Sequence, residues 1–150
     1  MKRYVINKMT VLKNTLTNQD DKSRLGEAIT HLTASLWLDD NRLQSKESSS
    51  VFDEEKETVK KLMELIKSKK GVISDTTLQG FITRLTRDDR QLAFVVISDA
   101  LTANGNAADI AKANDELAKG DAEVADGKQE NAIERYRQAW KAALKAVGKA

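Results

Sequence analysis

Cysteine is absent from this chain, and with it go disulfides, thiolate metal sites and cysteine nucleophiles. Proline is absent too, where an average chain has about 5%. Helix interiors reject proline because it lacks an N–H and clashes with the preceding turn, so its absence leans the chain toward helix. A one-signed charge is also missing: 32% of residues are charged, yet the net charge is only +2. Both signs are interspersed, which describes a solvated surface and not a polyanion-binding one. The longest apolar run, Leu92 to Ile97, is far too short to span a bilayer. Lys8 and Lys13 interrupt the opening stretch and make it a poor signal peptide. These features point to a soluble chain, cytoplasmic or a mature piece of a secreted or surface protein.

What is present is helical periodicity. The 150 residues suit one domain, 1–150, with possible sub-units 1–70 and 74–150. Val5, Ile6, Met9, Leu12 and Leu16 share one helical face, so a first helix is predicted over residues 1–17. Leu25, Ala28, Ile29, Leu32 and Leu36 predict a second, running to Leu38. The polar, serine-rich stretch after it reads as a loop. Asp53 to Glu55 open a third helix with the stripe Val59, Leu62, Met63 and Ile66, and Lys67, Lys69, Lys70 and Gly71 close it. Ser74 or Asp75 caps a fourth helix, read as continuous to about residue 103. Within it Asp88 and Asp89 fall near the apolar stripe between Leu85 and Leu92, and pairing with Arg84, Arg87 or Arg90 is the expected solution. "AFVVI" is read as its most buried turn. "NGN" is a turn. Ile110, Ala113, Leu117 and Val124 mark a fifth helix, with Gly127 as its left-handed stop. Ile133, Tyr136, Trp140, Ala143, Leu144 and Val147 mark a sixth. The expectation is an all-α, antiparallel bundle of five or six helices.

Between roughly residues 110 and 144 the sequence resembles one tetratricopeptide unit, a helix–turn–helix of about 34 residues. Gly120 and Ala122 stand at its small positions in the first helix and Gly127 at its turn. Ala132, Tyr136 and Ala139 stand at the small, aromatic and small positions of the second. Glu116, Lys119 and Glu123 occupy the family's Trp, Leu and Tyr positions. Similar hairpins occur in small helical modules of bacterial and archaeal surface proteins. The resemblance implies hairpin packing by Gly120, Gly127, Ala132, Tyr136, Ala139 and Trp140, and a protein-binding role. "AITHLTASL" from Ala28 also echoes "AIERYRQAW" from Ala132, which would make helices two and six equivalent.

Chemistry-bearing constellations are few. His31 is the only histidine and reads as structural or solvent-facing. Asp39, Asp40 and Asn41, with Glu47 nearby, supply oxygen ligands but not the spacing of a calcium loop. Loop or helix-cap duty is the plainer role. The lysines of helix three alternate with Glu57 and Glu64, an ordinary surface pattern. Gly120 and Gly127 follow no strand and precede no Lys–Ser pair, so no phosphate loop is present. Trp37, off the apolar stripe, is a candidate contact residue together with Asp39 and Asp40. The reading is therefore a non-catalytic interaction or structural module. It needs no cofactor or metal, has a protein partner or neighbouring domain, and neither binds nucleic acid nor spans a membrane. The alternative is a small nucleic-acid-binding regulator using basic residues of helices one and three.

Overall fold

The computed structural model describes residues 2–32, 36–39, 41–44, 46–68 and 71–149, with the backbone alone at 46 and 47. Six α-helices account for most of them: α1 Lys2–Thr15, α2 Gln19–Thr30, α3 Ser50–Ser68, α4 Asp75–Thr102, α5 Ala107–Ala125 and α6 Gln129–Ala146. A small antiparallel hairpin, β1 Trp37–Asp39 and β2 Arg42–Leu43, lies between α2 and α3, followed by a 3₁₀ turn at Lys46–Ser49. The fold is an all-α bundle. Among the described residues no helix is long and apolar enough to cross a membrane.

Local chemistry explains most boundaries. The side chains of Asn18, Ser74 and Asn106 accept from the backbone N–H of Asp21, Thr77 and Asp109, closing the first turns of α2, α4 and α5. At the end of α5, Gly127 sits at φ +74°. The Lys128 N–H donates to Glu123 O and the Gly127 N–H to Val124 O, the paired bonds of a Schellman stop. The α5–α6 turn thus forms where glycine was expected, for the expected reason.

Elsewhere the sequence reading is corrected. The second helix stops at Thr30, with the Leu32 N–H bonded back to Ile29 O at 2.9 Å, instead of running to Leu38. Trp37 and Leu38 enter a strand, where such side chains pack well. The echo between α2 and α6 ends with them, because Leu32 and Leu36 lie past the helix and Ser35 lies outside the described residues. The serine-rich loop contains the hairpin and the 3₁₀ turn. The third helix begins three residues before Asp53, at Ser50, because Val51 and Phe52 are core residues. Lys69 and Lys70 lie outside the described residues.

One apolar core joins all six helices. Val5 and Met9 enter it from α1, Leu25 and Ala28 from α2, Val59 and Leu62 from α3, and Leu85 and Leu92 from α4. Ala113 comes from α5, and Tyr136 and Trp140 from α6. The α4 helix is continuous, as expected, and its apolar turn buries Leu92, Ala93, Val96 and Ile97 while leaving Phe94 exposed. Val124 is more exposed than its place in the periodic pattern implied. The α5–α6 pair packs most closely at Gly120, where a Cβ would stand inside van der Waals contact of the Tyr136 ring. Glycine is required there by close approach, not by backbone conformation.

Candidate functional site

The hairpin is short, and side chains hold it in place. Asp39 Oδ1 accepts from the Asn41 N–H at 2.7 Å, making the turn an Asx turn. The Gln44 N–H donates to Leu36 O at 2.9 Å. Arg42 then ties the hairpin to α4 by a two-pronged pair: its Nε and Nη2 donate to the two oxygens of Asp99, each at 3.1 Å. Between hairpin, α4 and α6 lies a cleft of about 690 Å³, lined chiefly by Leu38, Leu43, Val96, Trp140, Leu144 and Val147. Trp140 is buried and its Nε1–H has no acceptor among the described residues. Leu38 is 67% exposed on the cleft wall.

Trp37 does not face outward beside it. The ring is half-buried, and Lys2 Nζ lies 5.5 Å from its centroid. The side chain turned to solvent is its neighbour, Leu38. Asp39 serves the hairpin turn, and Asp40 lies outside the described residues. Gly120, Ala132, Tyr136, Ala139 and Trp140 come together in the α5–α6 and α4–α6 packing, with Gly127 at the turn.

Asp88 and Asp89 depart most from expectation. They were expected to pair with Arg84, Arg87 or Arg90. Arg90 instead donates to both oxygens of Asp121 on α5, at 2.7 and 2.9 Å, and the Tyr136 hydroxyl donates to the same carboxylate at 2.8 Å. That bond from Arg90 holds Asp121 below the usual carboxylate range. Burial, then the bond to Asp121, pushes the Tyr136 phenol up, so this network locks α4, α5 and α6 and offers no phenolate. Asp88 and Asp89 turn inward, because the helix phase between Leu85 and Leu92 points them at α3.

There they meet Glu55, which is fully buried, and Lys2, also buried, whose Nζ lies 2.5 Å from Glu55 Oε1. All three carboxylates lie in the field of the Lys2 ammonium. Burial raises all three acids. Asp89 is held well above its ordinary value by burial and then by the negative charge of Glu55. The Lys2 ammonium offsets part of the burial cost of both carboxylates. Asp88 is pushed up to about 7, first by burial and next by the charge of Glu55. Among the described residues no three acidic or imidazole side chains converge in a way that could hold a metal ion. The inward phase of Asp88 and Asp89 could be read from the sequence, but nothing in it linked them to Lys2 and Glu55, far away along the chain.

His31 Nδ1 lies 2.6 Å from Glu54 Oε2 at the end of α2, a structural position. On the outer face of α1 and α4, Tyr4 lies under two cations, Lys8 at 5.5 Å and Arg84 at 4.8 Å from the ring centroid. No protein-family model, no curated protein and no solved structure matches the chain.

Proposed function

We propose that the protein is a non-catalytic helical module that seats an apolar segment of a partner protein, or of a neighbouring domain, in the cleft between hairpin, α4 and α6. One observation carries this reading: Leu38 is held out in solvent, on a hairpin clamped by Arg42 and Asp99, beside a cleft with Trp140 in its lining. An exposed aliphatic side chain next to an apolar concavity with a polar rim suits peptide capture. Of the charged lining residues, Arg42 and Asp99 are paired with each other and the third is Lys149, so among the described residues the lining offers no unpaired carboxylate or imidazole as a general base. The tetratricopeptide-like reading of α5–α6 belongs to the same proposal, supported by the close approach of Gly120 to Tyr136. Peptide display against the wild-type chain, with Leu38→Asp as counter-bait, tests it. The expected result is enrichment of apolar peptides that bind the variant at least about tenfold more weakly, a loss of ~1.4 kcal/mol. If no enriched peptide distinguishes the two baits, the reading fails.

A second reading rests on the cation face. Besides the buried Lys2, the α1 helix holds Arg3, Lys8 and Lys13 and no acid. On α3, by contrast, Lys56 and Lys61 are paired with Glu134 and Glu27. A nucleic-acid-binding regulator would therefore use α1 and α4 around Tyr4, not α1 and α3. A salt titration of a labelled single-stranded oligonucleotide, with Arg84→Glu as comparison, tests it. No binding at low salt eliminates it.

A further inference from the structure

The cleft face carries both halves of a contact. Leu38 stands out from β1 with 67% of its surface in solvent, and the apolar concavity lies beside it, lined by Leu43, Val96, Trp140, Leu144 and Val147. The knob is held in place. Arg42 Nε and Nη2 tie the hairpin to Asp99 at 3.1 Å each, and the Asx turn at Asp39 fixes its tip.

Charge divides the same face into two ends. At the hairpin end Arg42 is shared between Asp99 and Asp39, whose Oδ2 lies 3.5 Å from Nη1. Among the described residues, two carboxylates there stand against one guanidinium. At the other end the lining includes Lys149, exposed and, among the described residues, without a carboxylate partner. Its backbone is fixed: Gly148 at φ +71° closes α6, and the Lys149 N–H donates to Leu144 O at 2.9 Å. Lys145, one turn back, is taken by Asp109 of α5 at 3.0 Å and does not add to this end.

We propose that the occupant of the cleft is the hairpin of a second copy of this chain. Two copies related by a two-fold axis each seat Leu38 against the other's Trp140, Leu144 and Val147. The Asp39–Arg42–Asp99 end of each meets Lys149 of the other.

The argument is self-complementarity. A two-fold contact pairs one surface with itself, so knob and hole, and positive and negative charge, must lie on the same face. This face has one of each. Leu38 and the cleft lining leave water in one step, at little conformational cost, because the clamp has already ordered the hairpin. An uncharged apolar segment would fill the concavity but leave Lys149 and the acidic end unanswered. The opposed ends also fix the orientation, since the reverse placement sets like charges together. One apolar side chain and one charge pairing per copy make a small contact, so the dimer is weak, with a dissociation constant of about 10 μM or above.

This inference rests on the cleft reading and names its occupant. Sedimentation of the wild-type chain from about 10 μM to about 1 mM tests it. The mean mass is expected to climb toward twice the monomer value. Leu38→Asp, at an exposed position, should stay monomeric with an unchanged circular dichroism spectrum. Lys149→Glu, which sets like charges together, should weaken the dimer at least about tenfold. Val11→Asp changes an aliphatic side chain that is 61% exposed on α1, which does not line the cleft, and should dimerise as wild type does. Residue 150 and its terminal carboxylate lie outside the described residues. A chain lengthened by two glycines, which moves that charge onward, should dimerise at least as strongly. A wild-type chain that stays monomeric overturns the inference. So does a dimer that survives Leu38→Asp, that is indifferent to Lys149→Glu, or that is lost in Val11→Asp or in the lengthened chain. If selected peptides separate wild type from Leu38→Asp while the chain stays monomeric, the cleft reading stands and only the second copy is removed. If the dimer forms as described and no peptide is selected, the foreign segment is removed and the second copy stands.

Discussion

Replacing Asp88 with asparagine should stabilise the protein at pH 8 and leave it nearly unchanged at pH 4. The Asp88 carboxyl has an ordinary value of 3.8 and is pushed up to about 7 in the fold, by burial and then by Glu55. Below the lower value, folded and unfolded chains both hold the proton, and the carboxyl's contribution is fully present. Between the two values the unfolded chain ionises while the folded chain keeps its proton, so stability falls as pH rises. Above about 7 both are ionised, and the penalty is constant. A shift of about three units corresponds to ~4 kcal/mol at most, and partial solvent access to Asp88 brings the expected figure to roughly 2–4 kcal/mol. Asparagine carries no charge to bury and should remove that slope. Urea unfolding followed by circular dichroism would read it. With m near 2 kcal/mol/M, Asp88 should account for about 1–2 M of the wild-type midpoint's drop between acid and alkaline conditions, and Asp88→Asn should lack that share. Asp89 and Glu55, both raised, act in the same direction. A variant less stable than wild type at pH 8 would show that Asp88 is ionised and satisfied in the fold, and would refute the reasoning.

Three further outcomes are expected. Gly127→Val places a β-branched residue at φ +74° and should cost about 1 kcal/mol or more in thermal or urea unfolding. Gly120→Ala drives a methyl into the Tyr136 ring and should cost about 1–3 kcal/mol by the same measurement, with the Tyr136–Asp121 bond weakened. Lys2→Ala leaves Glu55 buried without a cation and should cost about 3–5 kcal/mol at neutral pH, whereas Lys2→Met combined with Glu55→Leu should recover most of the loss. Equal destabilisation by the single and double replacements would show that Lys2 acts by packing alone.

The sequence made helices legible because their signals are local. Asn106 and Gly127 delimit α5 by chemistry within a turn of each end, and Ser74 does the same for the start of α4. The Gly120–Tyr136 contact was legible through spacing that brings a small and an aromatic residue face to face. The hairpin was not, because its strands are too short to show alternation, and its fixation depends on Arg42 reaching Asp99, far along the chain. The acid cluster was half legible. The phase of α4 turned Asp88 and Asp89 inward, but neighbouring arginines offered a local solution, and only tertiary packing shows that Arg90 is taken by Asp121. Pairing rules of the i, i+4 kind describe exposed helix faces. They do not hold where the acids face a core.

The α1 and α2 helices are attached differently from α4 and α6. The α1 helix contributes Val5 and Met9 as fully buried apolar side chains and α2 contributes Leu25 and Ala28, against many from α4 and α6. Each also buries a charged residue, Lys2 in α1 and Asp21 in α2. Lys2 is held by Glu55, and Asp21 accepts from the Val72 N–H. Apolar burial is insensitive to protons, and an ion pair among titratable neighbours is not. Local opening is cheapest where few apolar contacts must be broken, so hydrogen exchange should reach α1 and α2 before the α4–α6 core.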